Sequence, residues 1–511
     1  MAVDEANGHV FVSGGPGYSS VVVLDFDGNV VTTIGDQPGA SALALDSASG
    51  ILYVALQDSN AISKIDTTTL AEVGRLSISP KTAPYGLALA GGRVWFSHNC
   101  RSGTSGMGSM ATDGSDVSNY PRLPGTYPYY CPIFATSPTD PNALLATDLG
   151  ISPPKLYVYD VESAGAPLTL TVSKEGAGGA IDMVVSPDGS TVLGPFGSPL
   201  AIGQFRLSDL AGVGSYSTGG FANSVAITSD GSYIAAGREG PWDPDLYIYE
   251  ASSSTPQRVD ELTLTMGTSA GTLYPGGLAY SGDRSRLFVV THSLTSAADF
   301  RVLLDPTVPK LPVTVTVSAS AKAVQYNHYV TLTAHVGEHG GGTLSIYATP
   351  YSGLRKLVRT ATPNASGNVS GTFLMKELTT FTAEYSGDET YAKAWSAGKA
   401  VNARVITKAA LYGYYGTSGR YRLYHRGRNP LIKGSVTPNH AGSYLTFEAQ
   451  RYRRGAWRVA DSAGYLISAN GTVSARLLNT SRGSYRVRTR FVGDVNHLGD
   501  ASPWRYLKVT L

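Results

Sequence analysis

Two histidines, His98 and His292, are the side chains that the sequence best places to do chemistry, because each falls just after the second short strand of a repeated unit. Loops at corresponding points bring Asn99, Arg101, Tyr127, Tyr129, Tyr130, Asp148, Arg238, Trp242, Asp243 and Tyr274 to the same face. Aromatic rings with a few acids and bases are what a sugar or peptide site uses. The same His/Asp content leaves open a metal-assisted lyase or hydrolase. The usual catalytic patterns do not occur: no Gly-x-Ser-x-Gly, no His-Glu-x-x-His, no P-loop and no Cys-x-x-Cys. No catalytic residue, cofactor or metal ligand is therefore assigned. Gly14-Gly-Pro-Gly17 reads as a turn, and Asp25-Phe-Asp-Gly28 lacks the later ligands of a Ca²⁺ loop, so it too reads as a turn.

A second group lies near the C-terminus. Tyr412, Tyr414, Tyr415, Arg420, Tyr421, Arg422, Tyr424, Arg426 and Arg428 fall within 17 residues, and Arg486, Arg488 and Arg490 alternate further on. Alternate residues of a strand share a face, so these last three should form one basic stripe. Guanidinium forks suit phosphate and carboxylate, and aromatics stack on sugars or bases. Arg420, Arg422, Arg426, Arg486, Arg488 and Arg490 are thus the candidate polyanion site, for a wall polymer or a nucleic acid. A solvated basic face, or a dock for the acidic part of the chain, remains the alternative.

The two cysteines, Cys100 and Cys131, suit a single disulfide in an exported chain. It would pin Cys100 to the loop carrying Tyr127-Pro-Tyr-Tyr-Cys131.

The elements that must position these groups repeat. Met1-Ala-Val-Asp-Glu-Ala-Asn-Gly-His-Val-Phe-Val aligns with Leu43-Ala-Leu-Asp-Ser-Ala-Ser-Gly-Ile-Leu-Tyr-Val, and equivalent segments begin at Leu87, Ile133, Met183, Val225 and Leu278. Units of about 42–53 residues match a four-stranded propeller blade. Ile51-Leu-Tyr-Val-Ala-Leu-Gln-Asp-Ser-Asn-Ala-Ile-Ser-Lys-Ile-Asp66 and Ala83-Pro-Tyr-Gly-Leu-Ala-Leu89 resemble the YVTN-type propeller repeat. That resemblance implies a seven-bladed β-propeller over 1–305 and leaves function open, since such propellers serve as binding proteins, surface proteins and occasionally enzymes. Pro306-Thr-Val-Pro-Lys-Leu-Pro312 reads as a linker, so the last blade is expected to lack its fourth strand. An upstream segment carrying that strand and a signal peptide is expected; the alternative is a gap left open or filled by 306–312.

From Val313 the strands lengthen, and 313–403 and 404–511 are weak copies of each other. Phe381-Thr-Ala-Glu-Tyr-Ser-Gly-Asp388 matches Val487-Arg-Thr-Arg-Phe-Val-Gly-Asp494. Each is the size of a β-sandwich, and they resemble the Ig-like repeats of secreted bacterial proteins. The expected fold is all-β: a seven-bladed propeller followed by two Ig-like sandwiches. Charge divides sharply. Of 40 Lys+Arg and 38 Asp+Glu, residues 1–305 hold 14 and 29, which leaves 26 and 9 for the rest, or −15 against +17. No run of apolar residues is long enough to span a membrane. The composition thus favours a secreted or cell-surface binding protein, its partner an extracellular glycan or surface protein, with the basic end on an anionic wall polymer. A structural subunit of an extracellular assembly is the remaining alternative.

Overall fold

Short alternating apolar runs separated by Asp-Gly and Asn-Gly turns dictate strands, and a computed structural model of the chain contains strands and no helix among its described residues. The description covers all but residues 16, 102–103, 121–127, 129, 150, 152, 162–167, 177–179, 199, 240–244, 261–270, 294–297 and 511, and gives only the backbone of 196–198, 271–272 and 292–293. The chain divides into two compact units, Met1–Pro309 and Lys310–Leu511.

The first unit is a succession of antiparallel meanders. The first contains Ala2–Asp4, His9–Ser13, Val21–Asp25 and Val30–Ile34 in sequential order. Five more four-stranded sheets follow, opening at Ala40–Asp46, Leu87–Ala90, Pro132–Thr136, Val184–Val185 and Ala222–Ile227. The seventh has three strands, Gly271–Tyr280, Arg286–Ser293 and Ala298–Leu304. Within a sheet the inner strands are buried on both faces, as in Ile51–Leu56, whereas the last strand alternates toward solvent, as in Ala71–Ser77. Three of the turns between first and second strands, at 186–190, 228–232 and 281–285, use one device. Asp188 accepts bonds from Ser186 Oγ and Ser190 N at 2.6 and 3.0 Å, and Gly189 takes φ +70°. Asp25 likewise accepts from Asp27 N and Asn29 N, so Asp25–Gly28 is a turn.

A separate apolar core lies between each successive pair of sheets. Phe11 and Val23 meet Leu52 and Val54; Tyr53 meets Leu87 and Phe96; Trp95 meets Leu144 and Tyr157. Leu145 meets Val185 and Val192, Leu193 meets Val225 and Ile234, and Ala235 meets Leu278 and Leu287. The seventh sheet also touches the first: the Phe26 and Phe288 rings are 5.1 Å apart, Arg286 pairs with Asp27 at 2.9 Å, and Glu5 accepts the Gly282 amide at 2.6 Å. The sixth sheet's outer strand holds the end of the seventh's last one. There Arg258, in a buried pair with Asp260 at 2.7 Å, donates to the Asp305 carbonyl at 3.1 Å.

The second unit has two cores. Val330, Leu332, Ile346, Phe381 and Val401 form one, between the sheet of Val315–Ala319, His328–Val336 and Asn368–Met375 and a facing sheet. Ile432, Phe447, Tyr485, Val487 and Leu507 form the other, beneath Ile406–Tyr412, Leu431–Thr437 and Thr472–Arg476. The two facing sheets are continuous, because Lys399–Arg404 pairs in parallel with His497–Ala501 through Ala403 with His497 and Arg404 with Leu498.

Candidate functional site

In the first unit the opening strands of the sheets converge on a cavity of about 410 Å³. These strands pack closely: a Cβ on Gly86 would stand 2.5 Å from the Pro132 carbonyl oxygen of the next sheet. Small residues at this position therefore let the strands approach and leave the interior open. Polar groups reach the cavity from Ser13, Ser41, Tyr85, Asp182 and Tyr274. Burial raises the Tyr85 hydroxyl above its ordinary range, helped by the nearby Tyr274.

Among the described residues, Asp182 is the one acid in the wall. Its Oδ2 accepts Val225 N at 2.8 Å and Ser224 Oγ at 3.2 Å, and its Oδ1 accepts Met183 N at 2.9 Å. Burial outweighs those bonds and pushes its carboxyl up to about 6. The site thus offers a carboxyl that titrates near neutrality, hydroxyls and backbone in a small-walled hollow, which suits hydrogen bonding to a polar ligand.

Of the side chains expected to form the site, Asp148 and Arg238 lie opposite the starts of the opening strands of their sheets, because Pro132 pairs with Asp148 and Ala222 with Arg238. Their surroundings differ. Tyr274 lines the cavity with its ring partly exposed. Arg101 is pinned by Asp58 at 2.6 Å and Gln57 at 3.2 Å. Asp148 is buried and accepts the Tyr130 amide at 2.6 Å, while the Tyr130 ring is exposed. Arg238 is half-buried, with its Nε where a Cβ of Gly220 would otherwise sit.

His98 lies inside the sheet packing. It is 4% exposed, its ring fills the space that Gly106 leaves, and burial lowers its imidazole to about 4. Tyr127, Tyr129, Trp242 and Asp243 lie outside the described residues, as does the side chain of His292. The Cys100–Cys131 disulfide is formed, with Cα atoms 4.9 Å apart, and the Cys131 amide donates to Ser105 Oγ at 3.0 Å.

Asp182 escaped the reading of the sequence, although a signal for it was present. The residues just before the repeat starts are Ala42, Gly86, Pro132, Asp182, Ser224 and Gly277, and only one of them is an acid.

The second unit carries a different surface. Arg486, Arg488 and Arg490 share a face of Gly483–Gly493, as their spacing requires. Arg486 lies over Trp504 at 4.3 Å and Trp457 at 4.8 Å, and Arg488 lies over Trp504 at 4.5 Å. Arg420 joins them through the Tyr506 ring at 4.0 Å, and that ring is 5.9 Å from Trp457. Gln450 accepts Arg486 Nε at 2.9 Å and Glu448 accepts Arg488 Nε at 2.6 Å, which fixes both planes. Arg422 stands apart over Tyr414 at 4.9 Å, and Arg426 is exposed in the turn after Tyr421–Tyr424. The structure therefore gathers four of the six expected arginines.

No family model and no curated protein matches the chain. Solved structures that resemble it are of propeller type. A chain of hydrazine synthase from Kuenenia stuttgartiensis is 14% identical, with 58% of this chain and 95% of that one covered and a TM-score of 0.42. Hsv2 from Kluyveromyces lactis is 12% identical, with 59% and 96% covered and a TM-score of 0.38. Regucalcin from Agrobacterium tumefaciens, a calcium-binding protein, is 14% identical, with 49% and 81% covered and a TM-score of 0.33. Likeness at this level assigns neither activity nor ligand.

Proposed function

We propose that this chain is a secreted or cell-surface binding protein, in which a seven-bladed propeller (1–305) is carried on two Ig-like sandwiches (313–403 and 404–511). The last sandwich attaches it to an anionic extracellular polymer. The observation that carries this reading is the face built from Arg420, Arg486, Arg488, Trp457, Trp504 and Tyr506. Stacking on an aromatic covers the apolar plane of a guanidinium, and the N–H groups of Arg486 and Arg488 that Gln450 and Glu448 do not take remain to meet phosphate or carboxylate. An aromatic floor beside that edge suits the sugar or polyol of the same polymer.

Full-length protein is expected to bind purified teichoic acid at about 0.05 M salt and to release it near 0.5 M, as counterion release requires. Neutral wall glycan should not retain it through this face. Replacing Arg486 and Arg488 together with Gln should weaken binding by about 10-fold or more, from the loss of two charged contacts. Unchanged affinity in that variant would remove the proposal. Preference for single-stranded DNA over teichoic acid would reassign the polymer.

The cavity favours a second site in the same protein. Asp182 with Tyr85 and Tyr274 suits a small polar ligand or the tip of a surface glycan, which the propeller would recognise while the sandwiches hold the wall.

A further inference from the structure

His440, Asp494 and His497 meet at one corner of the last sandwich, with ligand-capable atoms all within 4.8 Å of one another. His440 Nδ1 lies 2.7 Å from the Pro438 carbonyl oxygen, and His497 Nε2 lies 2.8 Å from that of Lys376. A carbonyl only accepts, so each of these nitrogens carries the proton. The other nitrogen of each neutral ring then presents a lone pair. Both lone pairs face one carboxylate: His440 Nε2 is 3.1 Å from Asp494 Oδ2, and His497 Nδ1 is 3.5 Å from Oδ1. His497 Nδ1 is buried and has no hydrogen-bond partner. Asp494 Oδ1 already accepts the amides of Asn496 and His497, at 2.8 and 2.7 Å. With both rings neutral, three electron-rich groups converge there.

The first sandwich holds the same corner without that conflict. Asp388 occupies the place of Asp494, and it accepts from Thr390 N and Tyr391 N as Asp494 does from Asn496 N and His497 N. Its other oxygen takes the Gly340 amide and the Tyr385 hydroxyl. His339 stands where His440 does, with Nδ1 2.9 Å from the Gly337 carbonyl oxygen. In the second copy Phe491 replaces Tyr385 and His497 replaces Tyr391, so donors are exchanged for a ring without one and for a second imidazole.

We propose that His440 Nε2, His497 Nδ1 and an Asp494 oxygen form a site for a divalent transition metal of the Zn²⁺ class. Donors held at about 2.0–2.1 Å in a tetrahedron stand about 3.3–3.4 Å apart. The separations from His440 to Oδ2 and from His497 to Oδ1, 3.1 and 3.5 Å, bracket that value, so either oxygen stands at ligand spacing from one ring. The carbonyl bonds on the far nitrogens are the outer contacts that fix tautomer and ring plane in metal-binding histidines. Asp494 is partly exposed, so water can complete the set. The bond from His497 to Lys376, beside that from Leu378 N to the Asn496 carbonyl at 2.7 Å, ties the site to the first sandwich. The metal therefore braces the joint between the two sandwiches.

The test uses chelator-treated full-length protein near pH 7.5. Calorimetry with ZnCl₂ should give one equivalent per chain, and Co²⁺ should give the visible absorption of a four-coordinate N/O site. Saturating Zn²⁺ should raise the melting temperature of the C-terminal unit by about 5–10 °C. His440→Gln and His497→Gln should each weaken binding by about 100-fold, whereas His339→Gln should leave it unchanged. Should either variant fold poorly, the wild-type protein loaded with Cu²⁺ gives the same answer: its EPR spectrum should show coupling to two imidazole nitrogens. Absence of metal binding by the wild type would overturn the proposal. So would a Cu²⁺ spectrum without imidazole coupling, or titration of both rings as an imidazolium pair indifferent to Zn²⁺.

Discussion

Asp182 shows how a carboxyl buried in a cavity wall can cost stability. Its carboxyl sits at about 6 in the folded chain, against 3.8 as the ordinary value. The folded state therefore binds the proton more tightly, and its contribution is full below the lower value and lost as pH rises through the upper one. Stability should fall by about 2–3 kcal/mol between roughly pH 4 and pH 7 from this group alone. Asp182→Asn keeps an oxygen for the Val225 amide and removes the titration. That variant should flatten the pH dependence of the urea midpoint over this window; an unaltered slope would mean that water in the cavity already solvates the charge. Arg258 makes the opposite case. It is buried against Asp260 and also supports the carbonyls at the end of the seventh sheet, so Arg258→Met strands a buried carboxylate. A loss of about 3–5 kcal/mol is expected in chemical denaturation; less than about 1 kcal/mol would show that the pair is readily hydrated.

At the scale of elements, the Cys100–Cys131 bond closes a loop with a sequence separation of 31 and joins the end of one second strand to the start of the next sheet. Chain entropy assigns such a closure about 3–4 kcal/mol. Replacing both cysteines with serine should lower stability by that amount, read as a urea-midpoint shift at constant slope; a changed slope would instead signal disruption of the loops around them.

The same scale explains what could be read beforehand. Strands announce themselves by period-two alternation and Asp-Gly turns, which are local, so the repeat starts at Leu43, Leu87, Ile133 and Val225 fall in the opening strands of their sheets. The stripe of Arg486, Arg488 and Arg490 follows from the same periodicity. Side-chain direction at a strand end is not local. His98 closes its strand and turns inward because Gly106, on the neighbouring strand, leaves room for its ring. Arg101 follows three residues later and is captured by Asp58 of the preceding sheet. The corner of His440, Asp494 and His497 was equally hidden. Its histidines lie far apart in sequence, and no short motif brings them together.

At the scale of the molecule, the units ending at Pro309 and starting at Lys310 each carry their own cores, one unit strongly acidic and the other strongly basic. Units with separate cores unfold separately. Within Lys310–Leu511, however, two cores share one sheet through the parallel pairing at Ala403 and Arg404, reinforced by Arg404 Nη1 donating to the Gly499 carbonyl at 2.7 Å. Breaking one sandwich would expose the paired edge of the other, so the two should melt together. Scanning calorimetry of the full chain should then resolve two transitions, not three. The identity of each follows from charge. Lowering the pH from about 7 to 5 raises the positive charge of both units, which relieves self-repulsion in the acidic one and increases it in the basic one. The transition of the acidic unit should hold or rise while that of the basic unit falls. Three transitions would show that the shared strands do not transmit cooperativity. In that event the bonds from His497 and Asn496 to the first sandwich would be too weak to brace it, and Zn²⁺ would move only the transition of the last domain.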